Sequence, residues 1–451
     1  MYERQRVLEQ FELQKDFMES TVQNNIENNR KGYGTITVKD SEGNIIPDAK
    51  ISLNQTSHEF KFGANLFMLD ELETKEKNDT YKKLFADTFN MATLPFYWNS
   101  TEPEKGHLRY DKNSTKFYRR PPIDLCMEFC EANGIEPREH ALAFEIFFPA
   151  WLRENVPVSE IKKELERRFS EIAERYKDRI NTIEVTNEML WDRQKSKTAI
   201  CDEPDYVEWC FKLAEKYFPS NQLAINESGH FAWGPCRTTN AYYAYTENAM
   251  LKGARIDAIG LQYHMFFQKA DEYDRTRTFY DPQKLYDMLD LYARLGKPLQ
   301  ITEVTLSAYS ELAEDEEIQA KLLEYLYTIW FSHKNVEQII YWNLVDGYCY
   351  VPTANPEVIA NSQGNMTMGE NIFYGGLLRF DMSPKPAFKA LKNLVEKVWH
   401  TQGDYTTDAN GSAKFKGFYG DYDVTVTAGG KTAAKTVKLY SKGKNDFEIV
   451  I

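Results

Sequence analysis

Eight short apolar runs, each followed by a stretch with helical periodicity, restrict the fold of this chain more than any other feature. They lie between about residues 60 and 400, and each has the length of one β-strand. Strands that alternate with helices predict a parallel sheet, and eight such units predict a closed barrel rather than an open sheet. The predicted strands are 60–66, 89–94, 136–144, 182–188, 222–226, 258–264, 298–303 and 338–344. The sequence therefore predicts an α/β fold, a (β/α)8 TIM barrel over residues 60–400.

The helix that follows Pro157 is the most clearly marked of the predicted crossovers. Apolar side chains recur at helical spacing at Leu165, Phe169 and Ile172, which predicts a buried stripe. Ser159 is the predicted N-cap, because a serine hydroxyl can accept a hydrogen bond from a free backbone N–H at a helix start.

A charged amphipathic helix is predicted for residues 1–30, ahead of the first strand. Val7, Leu8, Phe11 and Phe17 give it an approximate apolar stripe. We expect this stripe to pack on the body of the protein or on a partner.

Alternating β-rich segments occur at both ends of the chain. Residues 34–40 and 49–53 flank a turn-rich segment and predict a hairpin. Similar segments near the other end are 413–416, 422–426, 435–439 and 446–450. Neither end has enough strands for a stable sandwich of its own. We therefore predict one small all-β sandwich built from both chain ends, with residues 31–59 and 401–451 as its two parts.

Composition narrows the class of partner. The 451-residue chain has a net charge of -13, whereas binding to phosphate groups needs clustered Lys and Arg. Nucleic acid and anionic membranes are therefore excluded as expected partners, and no run approaches the ~20 apolar residues of a membrane span. An aromatic content of 14% suits a cleft for polysaccharide or oligosaccharide, because sugar rings present flat C–H faces to aromatic rings.

The six cysteines have neither a CxxC spacing nor neighbouring histidines, so we expect buried free thiols and no zinc site. We expect no metal or other cofactor. The first residues are charged and lack the apolar segment of a secretory signal, which predicts a cytoplasmic protein. A secreted protein whose signal had been removed would look the same.

Two predicted strands end on a glutamate, Glu188 in one and Glu303 in the other. The carboxyl ends of barrel strands are the edge where active sites form, so the two side chains are predicted to face one cleft. One neutral and one ionised carboxyl group are the minimum equipment for cleaving a glycosidic bond. The alternative is that both are ordinary surface carboxylates, since most of the 68 Asp and Glu residues must be solvated.

The order of motifs resembles glycoside hydrolase family 10, the retaining endo-β-1,4-xylanases, over the whole central region. Asn187-Glu188 is similar to the family's acid/base motif, and Thr302-Glu303 is similar to its nucleophile motif. Further similar segments are Trp98 to Pro103, His140-Ala141-Leu142, Gly260 to His264 and Tyr341-Trp342 through Tyr350.

The resemblance implies a role for each matched residue. Glu188 would be the general acid with a raised pKa, and Glu303 would be the nucleophile, kept ionised by a hydrogen bond from His264. Asn187 would contact the sugar 2-hydroxyl, while His140 and Gln262 would complete the floor of the site. The predicted substrate-binding residues are Asn187, His140, Gln262, His264, Trp98, Tyr97, Phe144, Trp342 and Tyr350.

Three further carboxylates, Glu102, Glu227 and Asp346, are considered as candidate site residues. Glu102 is expected to hold a loop. Glu227 and Asp346 follow predicted strands, and each is either a cleft-lining group or a solvated one.

The chain departs from the family pattern on one side of the predicted cleft. Thr93, Leu94 and Tyr97 occupy the positions of a Glu-Asn-x-x-Lys motif that grips the sugar on the non-reducing side. Phe144 stands where the family has Trp, and Glu145 and Phe147 replace a His and a Gln. Each lost hydrogen bond to sugar would remove about 1 kcal/mol of binding free energy. We therefore predict a rebuilt, more aromatic pocket beside an intact catalytic pair.

The predicted function is retaining hydrolysis of β-1,4-linked xylan or xylo-oligosaccharides. One alternative is a family member of altered specificity that acts on decorated xylan, another β-glycan, or a glycoside whose apolar part rests on Phe144, Phe147 and Tyr97. A second alternative is a glycan-binding protein without efficient turnover. The paired Glu188 and Glu303 favour the enzyme, because a pure binder needs no nucleophile beside a neutral acid.

Overall fold

The structure is a computed structural model that describes residues 3–153, 155–191, 198–353 and 355–451. Its strands in chain order are β1 (Lys31–Lys39), β2 (Lys50–Gln55), β3 (Lys61–Asn65), β4 (Met91–Pro95), β5 (Glu136–His140), β6 (Thr182–Asn187), β7 (Gln222–Glu227), β8 (Ala258–His264), β9 (Leu299–Thr305), β10 (Val336–Tyr341), β11 (Gln402–Thr406), β12 (Ser412–Phe418), β13 (Gly420–Ala428), β14 (Lys431–Leu439) and β15 (Asp446–Val450).

Strands β3 to β10 form a closed barrel in which every neighbouring pair is parallel, and β10 pairs with β3 to complete the ring. The predicted (β/α)8 barrel is confirmed. The predicted strand 136–144 is too long, because β5 ends at His140. Residues 141–144 leave the barrel wall and enter the loop above it.

One helix of at least eight residues follows each barrel strand and covers the outside of the barrel. These helices are Lys75–Thr88, Ile123–Asn133, Val158–Tyr176, Tyr206–Tyr217, Ala241–Leu251, Pro282–Ala293, Ala313–Ser332 and Pro386–Asn393. Shorter helical turns in the connections are Trp98–Thr101, Glu145–Phe147, Ala150–Leu152, Ala199–Asp202, Gly229–Ala232, Lys269–Asp271, Glu272–Thr276, Pro356–Ser362, Gly369–Phe373 and Leu394–Val398.

The helix Val158–Tyr176 buries the predicted apolar stripe, including Leu165 and Phe169. The prediction of Ser159 as its N-cap is wrong. Pro157 occupies the N-cap position, where its fixed backbone angle suits a helix start, and no side chain caps the helix. Arg168 on the same buried face donates from Nε to the Leu142 carbonyl at 3.0 Å and so ties this helix to the loop after β5.

Two sheets from the chain ends form the predicted sandwich, in the orders β12-β1-β15 and β11-β2-β13-β14. Their inner faces share a core that includes Ile36, Val38, Ile51 and Leu53. The predicted hairpin between 34–40 and 49–53 is wrong, because β1 and β2 lie in different sheets. Each strand has one apolar face, and the connection between them places those faces on opposite sides of the shared core.

The N-terminal segment is helical over Glu3–Leu8, Glu9–Leu13, Lys15–Phe17, Met18–Val22 and Gln23–Asn29, while residues 1 and 2 of the predicted helix lie outside the described residues. As predicted, it packs on the body of the protein. The Phe11 ring stacks on Tyr325 with centroids 4.6 Å apart, and buried Arg4 forms ion pairs with Glu272 at 2.7 Å and Asp315 at 3.2 Å.

All six cysteines are free thiols, and five are buried as expected. Cys236 is exposed, so the expectation of burial is wrong for this residue. Among the described helices, none has both the length and the apolar composition needed to cross a bilayer.

Candidate active site

A cavity of about 740 Å³ opens at the carboxyl end of the barrel, and both Glu188 and Glu303 line it. Glu188 directly follows β6, whereas Glu303 lies within β9 near its end. The two strands are held apart by β7 and β8, so the barrel closure brings two sequence-distant carboxyl groups to one opening.

Glu188 has two unusual features. Its backbone has a φ of 52°, in the left-handed region that few residues other than glycine adopt. Such strained conformations cluster at functional sites. Burial, with a further contribution from the charge of Glu303, raises the pKa of Glu188 from its ordinary 4.5 to about 7. Its Oε1 accepts one hydrogen bond, from Gln262 Nε2 at 3.1 Å.

Glu303 accepts two hydrogen bonds, from Asn226 Nδ2 at 2.9 Å and from His264 Nε2 at 3.1 Å. Burial lowers the pKa of His264, so the imidazole is neutral, and Nε2 must carry its proton in order to donate. The predicted donor to Glu303 is thus in place.

Burial nevertheless outweighs these donors and raises the pKa of Glu303 to about 7. The charge of Glu303 contributes to the raised pKa of Glu188, so the ionisation of one carboxyl group disfavours that of the other. Glu303 has two donors to its charged form and Glu188 has one. The hydrogen bonds therefore favour the ionised form of Glu303 more than that of Glu188.

A buried charged layer lies directly beneath this pair. Glu184 Oε2 lies 2.5 Å from Arg138 Nη1, and Glu184 Oε1 lies 2.8 Å from His140 Nδ1. His140 Nε2 in turn lies 3.0 Å from the Tyr97 hydroxyl. Asn226 Nδ2 is shared between Glu184 and Glu303, which joins the lower layer to the catalytic pair. These contacts connect the side chains that form the floor of the cavity, which are Arg138, His140, Glu184, Asn226, His264 and Glu303.

Gly260 is required for this arrangement. A Cβ at position 260 would overlap the side-chain oxygen of Asn226. That oxygen accepts a hydrogen bond from Thr302 Oγ1 at 2.7 Å, which orients the Asn226 amide toward Glu303. Any larger residue at 260 would displace Asn226.

His140, Glu184 and Glu303 each offer a ligand atom within 4.8 Å of the others, a donor set that resembles a small metal site. Sequence spacing gave no indication of this cluster. Arg138 supplies a positive charge to Glu184 within the same layer, and each of the three side chains already has a polar partner. The cluster is therefore satisfied as a hydrogen-bonded ionic network.

One wall of the cavity is aromatic. Phe67, Tyr97, Phe144 and Trp342 form a buried cluster with Phe147 packed against it. The Trp342 ring lies against the rings of His140 at 5.2 Å and His264 at 5.8 Å, so the wall contacts the catalytic floor directly. This wall contains the aromatic residues that mark the departure of the sequence from the resembled family.

The sequence profile described as glycosyl hydrolase family 10 matches residues 54–393. The chain belongs to glycosyl hydrolase family 10. The resemblance inferred from the motifs is thereby confirmed.

Proteins that are similar in sequence to this chain have names that indicate different functions. The anti-sigma-I factor RsgI6 of Acetivibrio thermocellus is 27% identical over 407 residues, which cover 89% of this chain and 46% of that protein. Endo-1,4-beta-xylanase 1 of Arabidopsis thaliana is 25% identical over 384 residues, covering 83% of this chain and 34% of that protein. This chain therefore spans less than half the length of either relative.

Solved structures support the same fold. Native xylanase 10B from Thermotoga maritima matches with a TM-score of 0.55 and 21% identity, covering 75% of this chain and 96% of that chain. The intracellular xylanase TsXylA of Thermoanaerobacterium saccharolyticum matches with a TM-score of 0.56 and 18% identity, covering 79% of this chain and 100% of that chain.

The residues that the family resemblance assigned to substrate binding divide into two groups. Those that line the cavity are Gln262, His264, Tyr97, Phe144, Trp342 and Tyr350. Asn187, His140 and Trp98 are buried and do not line it. His140 acts from beneath, and Asn187 accepts from Gln262 Nε2 at 3.1 Å. The expectation that Trp98 contacts substrate is wrong, because its Nε1 donates to Glu102 at 2.9 Å behind the cavity wall.

The secondary carboxylates all have structural partners. Glu102 holds its loop as expected, accepting from the Gly106 N–H at 2.7 Å. Glu227 and Asp346 neither line the cavity nor are solvated, so both alternatives predicted for them are wrong. Glu227 accepts from the backbone N–H of Leu190 at 2.8 Å, and Asp346 forms a buried ion pair with Lys385.

Sequence reasoning missed two groups of residues. Arg138, Glu184 and Asn226 lie in strands, where polar residues inside apolar runs could have indicated a charged barrel interior. Arg119 and Arg120 line the cavity from the loop before the helix Ile123–Asn133. No motif marks this pair, because loop positions have no periodicity that predicts where they lie.

Proposed function

We propose that this family 10 member is a retaining glycoside hydrolase that cleaves β-1,4-linked xylan or xylo-oligosaccharides. The observation that carries the proposal is the pair of carboxyl groups that line the cavity at the barrel opening, where Glu188 has a pKa raised to about 7 and Glu303 accepts two hydrogen bonds. Relatives named as xylanases support the choice of substrate.

In the first step, the Glu303 carboxylate attacks the anomeric carbon while Glu188 protonates the departing glycosidic oxygen. The C–O bond breaks and a covalent glycosyl-enzyme forms at Glu303. In the second step, Glu188 takes a proton from water, and the water oxygen displaces Glu303 from the anomeric carbon. The sugar is released with its original configuration, and Glu188 has regained its proton.

The side chains of the floor stabilise the charge of Glu303 and fix its orientation. The His264 and Asn226 donors position Glu303 for attack, and Arg138 and Glu184 keep Asn226 and His140 fixed beneath it. Asn187 Nδ2 is buried without a hydrogen-bond partner among the described residues, and a shift of the Gln262 and Glu188 side chains on substrate binding would open it as a donor to a sugar hydroxyl. A hydrogen bond that strengthens as positive charge develops on the sugar would favour the transition state.

A second candidate is a family 10 glycosidase with a different specificity. It is favoured by the aromatic wall, where the Phe147 ring packs 4.4 Å from Tyr97 and 5.0 Å from Phe144. A wall of this kind offers stacking area in place of the polar grip that the family pattern places there.

A third candidate is a glycan-binding protein without turnover. It is favoured by one observation, that a relative covering 89% of this chain is named an anti-sigma-I factor rather than a hydrolase. The raised pKa of Glu188 opposite Glu303 argues for catalysis, because binding alone does not require a neutral acid beside a hydrogen-bonded carboxylate.

Product analysis separates the three candidates. The purified protein is incubated with xylan, xylo-oligosaccharides, other β-glucans and aryl glycosides, with Glu303→Ala as the control. Release of xylo-oligosaccharides that is lost in the variant supports the xylanase. Activity confined to another glycoside supports the second candidate. Glycan binding with no product from any substrate would overturn the enzymatic proposal.

A further inference from the structure

We propose that the cleft selects a glycan that carries an anionic substituent, such as the carboxylate of a uronic acid or a sulfate ester, and that Arg120 binds this group with support from Arg119. This inference rests on the proposed function, because it names the class of substrate that the same cleft accepts.

Arg120 is held in the aromatic wall. Its guanidinium lies 3.8 Å from the centroid of the Tyr97 ring, 5.3 Å from Phe67 and 5.6 Å from Phe147. Nη1 donates to the Arg119 carbonyl at 2.8 Å, and the other donors of the group have no protein partner in the parts of the chain that the structure describes. The rings therefore fix the guanidinium plane and leave most of its donors unused.

Arg119 is fixed beside it by different contacts. Its Nη1 donates to the Tyr348 carbonyl at 2.6 Å, and its Nη2 donates to Asn343 Oδ1 at 3.3 Å. Its Nε is buried and has no partner among the described residues. Both arginines line the same cavity, but the unpartnered Nε of Arg119 is buried, so Arg119 contributes positive charge while Arg120 contributes the unused donors.

Neither arginine has a carboxylate counter-ion within ion-pair distance in the described chain. The acid nearest in the network is Glu370, which lines the cavity, but its Oε2 accepts from Asn343 Nδ2 at 2.8 Å. Asn343 thus stands between Glu370 and Arg119. Glu370 and Glu303 supply negative charge to the same cavity without contacting either arginine, so the unused donors of Arg120 are left to bind negative charge on a ligand.

The chemistry of the site fits an anion on a sugar. A guanidinium presents a planar set of donors that matches carboxylate or sulfate oxygens, and such charge-assisted bonds are stronger than neutral ones. Burial lowers the pKa of Arg120 to about 10, which still leaves the group charged at neutral pH. Arg120 stacks on Tyr97, and the Tyr97 hydroxyl lies 3.0 Å from His140 on the catalytic floor. The substituent would therefore belong to a sugar bound close to the cleavage point.

The test measures binding in a background that does not turn over. Calorimetry with Glu303→Ala uses three probes: a xylo-oligosaccharide with a glucuronic acid branch, the same compound with its carboxyl reduced to an alcohol, and a sulfated xylo-oligosaccharide. We expect one of the two anionic probes to bind at least about tenfold more tightly than the reduced compound. Which one does so distinguishes carboxylate from sulfate.

The preference should vanish when Arg120→Gln is added. Arg277→Gln is the matched control, since this exposed arginine also packs on a ring, Tyr273 at 5.8 Å, but does not line the cavity. It should keep the full preference. Arg120→Lys retains charge without the planar fork and should keep an intermediate preference that falls with added salt, which provides a test if Arg120→Gln does not fold.

Equal binding of the anionic and reduced probes would overturn the inference, and so would an unchanged preference in both Arg120 variants. If the wild-type protein hydrolyses neutral xylan while showing no preference for an anion, only the inference fails. If an anionic probe binds preferentially and nothing is hydrolysed, only the proposed function fails. If no glycan binds, both fail.

Discussion

The floor and the aromatic wall of the cavity are built by different means. The floor consists of side chains on strands β5 to β9, and its groups are connected by ion pairs and hydrogen bonds such as Arg138–Glu184 and His264–Glu303. The wall consists largely of loop residues held by ring packing, such as Tyr97 on Phe147. The barrel strands thus position the side chains proposed to carry out the reaction, whereas the connections above the barrel position the side chains proposed to select the substrate.

The largest expected effect is on the two members of the catalytic pair. Glu303→Ala removes the nucleophile and should lower kcat by at least about 10⁴-fold on every substrate. Glu188→Gln removes the general acid and should cost about 10²- to 10⁴-fold on xylo-oligosaccharides. Steady-state kinetics with an aryl glycoside checks the assignment, because a phenolate leaves without protonation and should restore much of the first step in Glu188→Gln only. An equal response of both variants to that substrate would break the assignment of roles.

The next largest effect concerns the charged layer beneath the pair. Arg138→Leu leaves Glu184 buried without its counter-charge and should lower the free energy of unfolding by about 3–5 kcal/mol. Urea denaturation measures the change. Arg179→Leu is the control, because the Arg179–Glu131 pair is partly exposed and its loss should cost at most about 1 kcal/mol. Similar small effects in both variants would show that the floor is not organised by its buried charge.

The free energy of unfolding should also depend on pH, and the raised pKa of Glu188 determines the direction of the change. Glu188 has a folded pKa of about 7 against an ordinary 4.5, so the folded state holds its proton more tightly than the unfolded state. This contribution to stability is full below about pH 4.5 and is lost as the pH rises through 7. Glu188→Gln removes the contribution of this group, so the variant should gain stability relative to wild type as the pH rises from 5 to 8 in thermal unfolding. A difference that does not change with pH would contradict the raised pKa.

The smallest effect on activity is expected from the contact between Tyr97 of the aromatic wall and His140 of the floor. Tyr97→Phe keeps the ring beneath Arg120 but removes the hydroxyl that lies 3.0 Å from His140. The loss of one such bond should cost about 1 kcal/mol, which corresponds to a decrease of about fivefold in kcat/KM. Tyr350→Phe serves as the comparison. If Tyr97→Phe were neutral, the wall and the floor would act independently.

The same contrast explains which features could be predicted from the sequence. Glu188 and Glu303 end apolar runs, and the topology of a parallel barrel places all such ends at one opening, so their meeting was predictable. Arg119 and Arg120 follow no periodic pattern, and their position depends on how a long connection folds over the barrel. The raised pKa of Glu303 could not be predicted because its burial depends on all neighbouring strands, whereas His264 could be identified from its own motif. The prediction of a hairpin between 34–40 and 49–53 was wrong for a related reason, because the alternation of apolar and polar residues identifies strands but not the strands with which they pair.

The most direct test of the central claim is the anomeric configuration of the first product, followed by proton NMR during hydrolysis of a xylo-oligosaccharide. Attack by Glu303 and deprotonation of water by Glu188 predict that the β-anomer forms first and the α-anomer appears later by mutarotation. Initial release of the α-anomer would contradict the role of Glu303 as nucleophile.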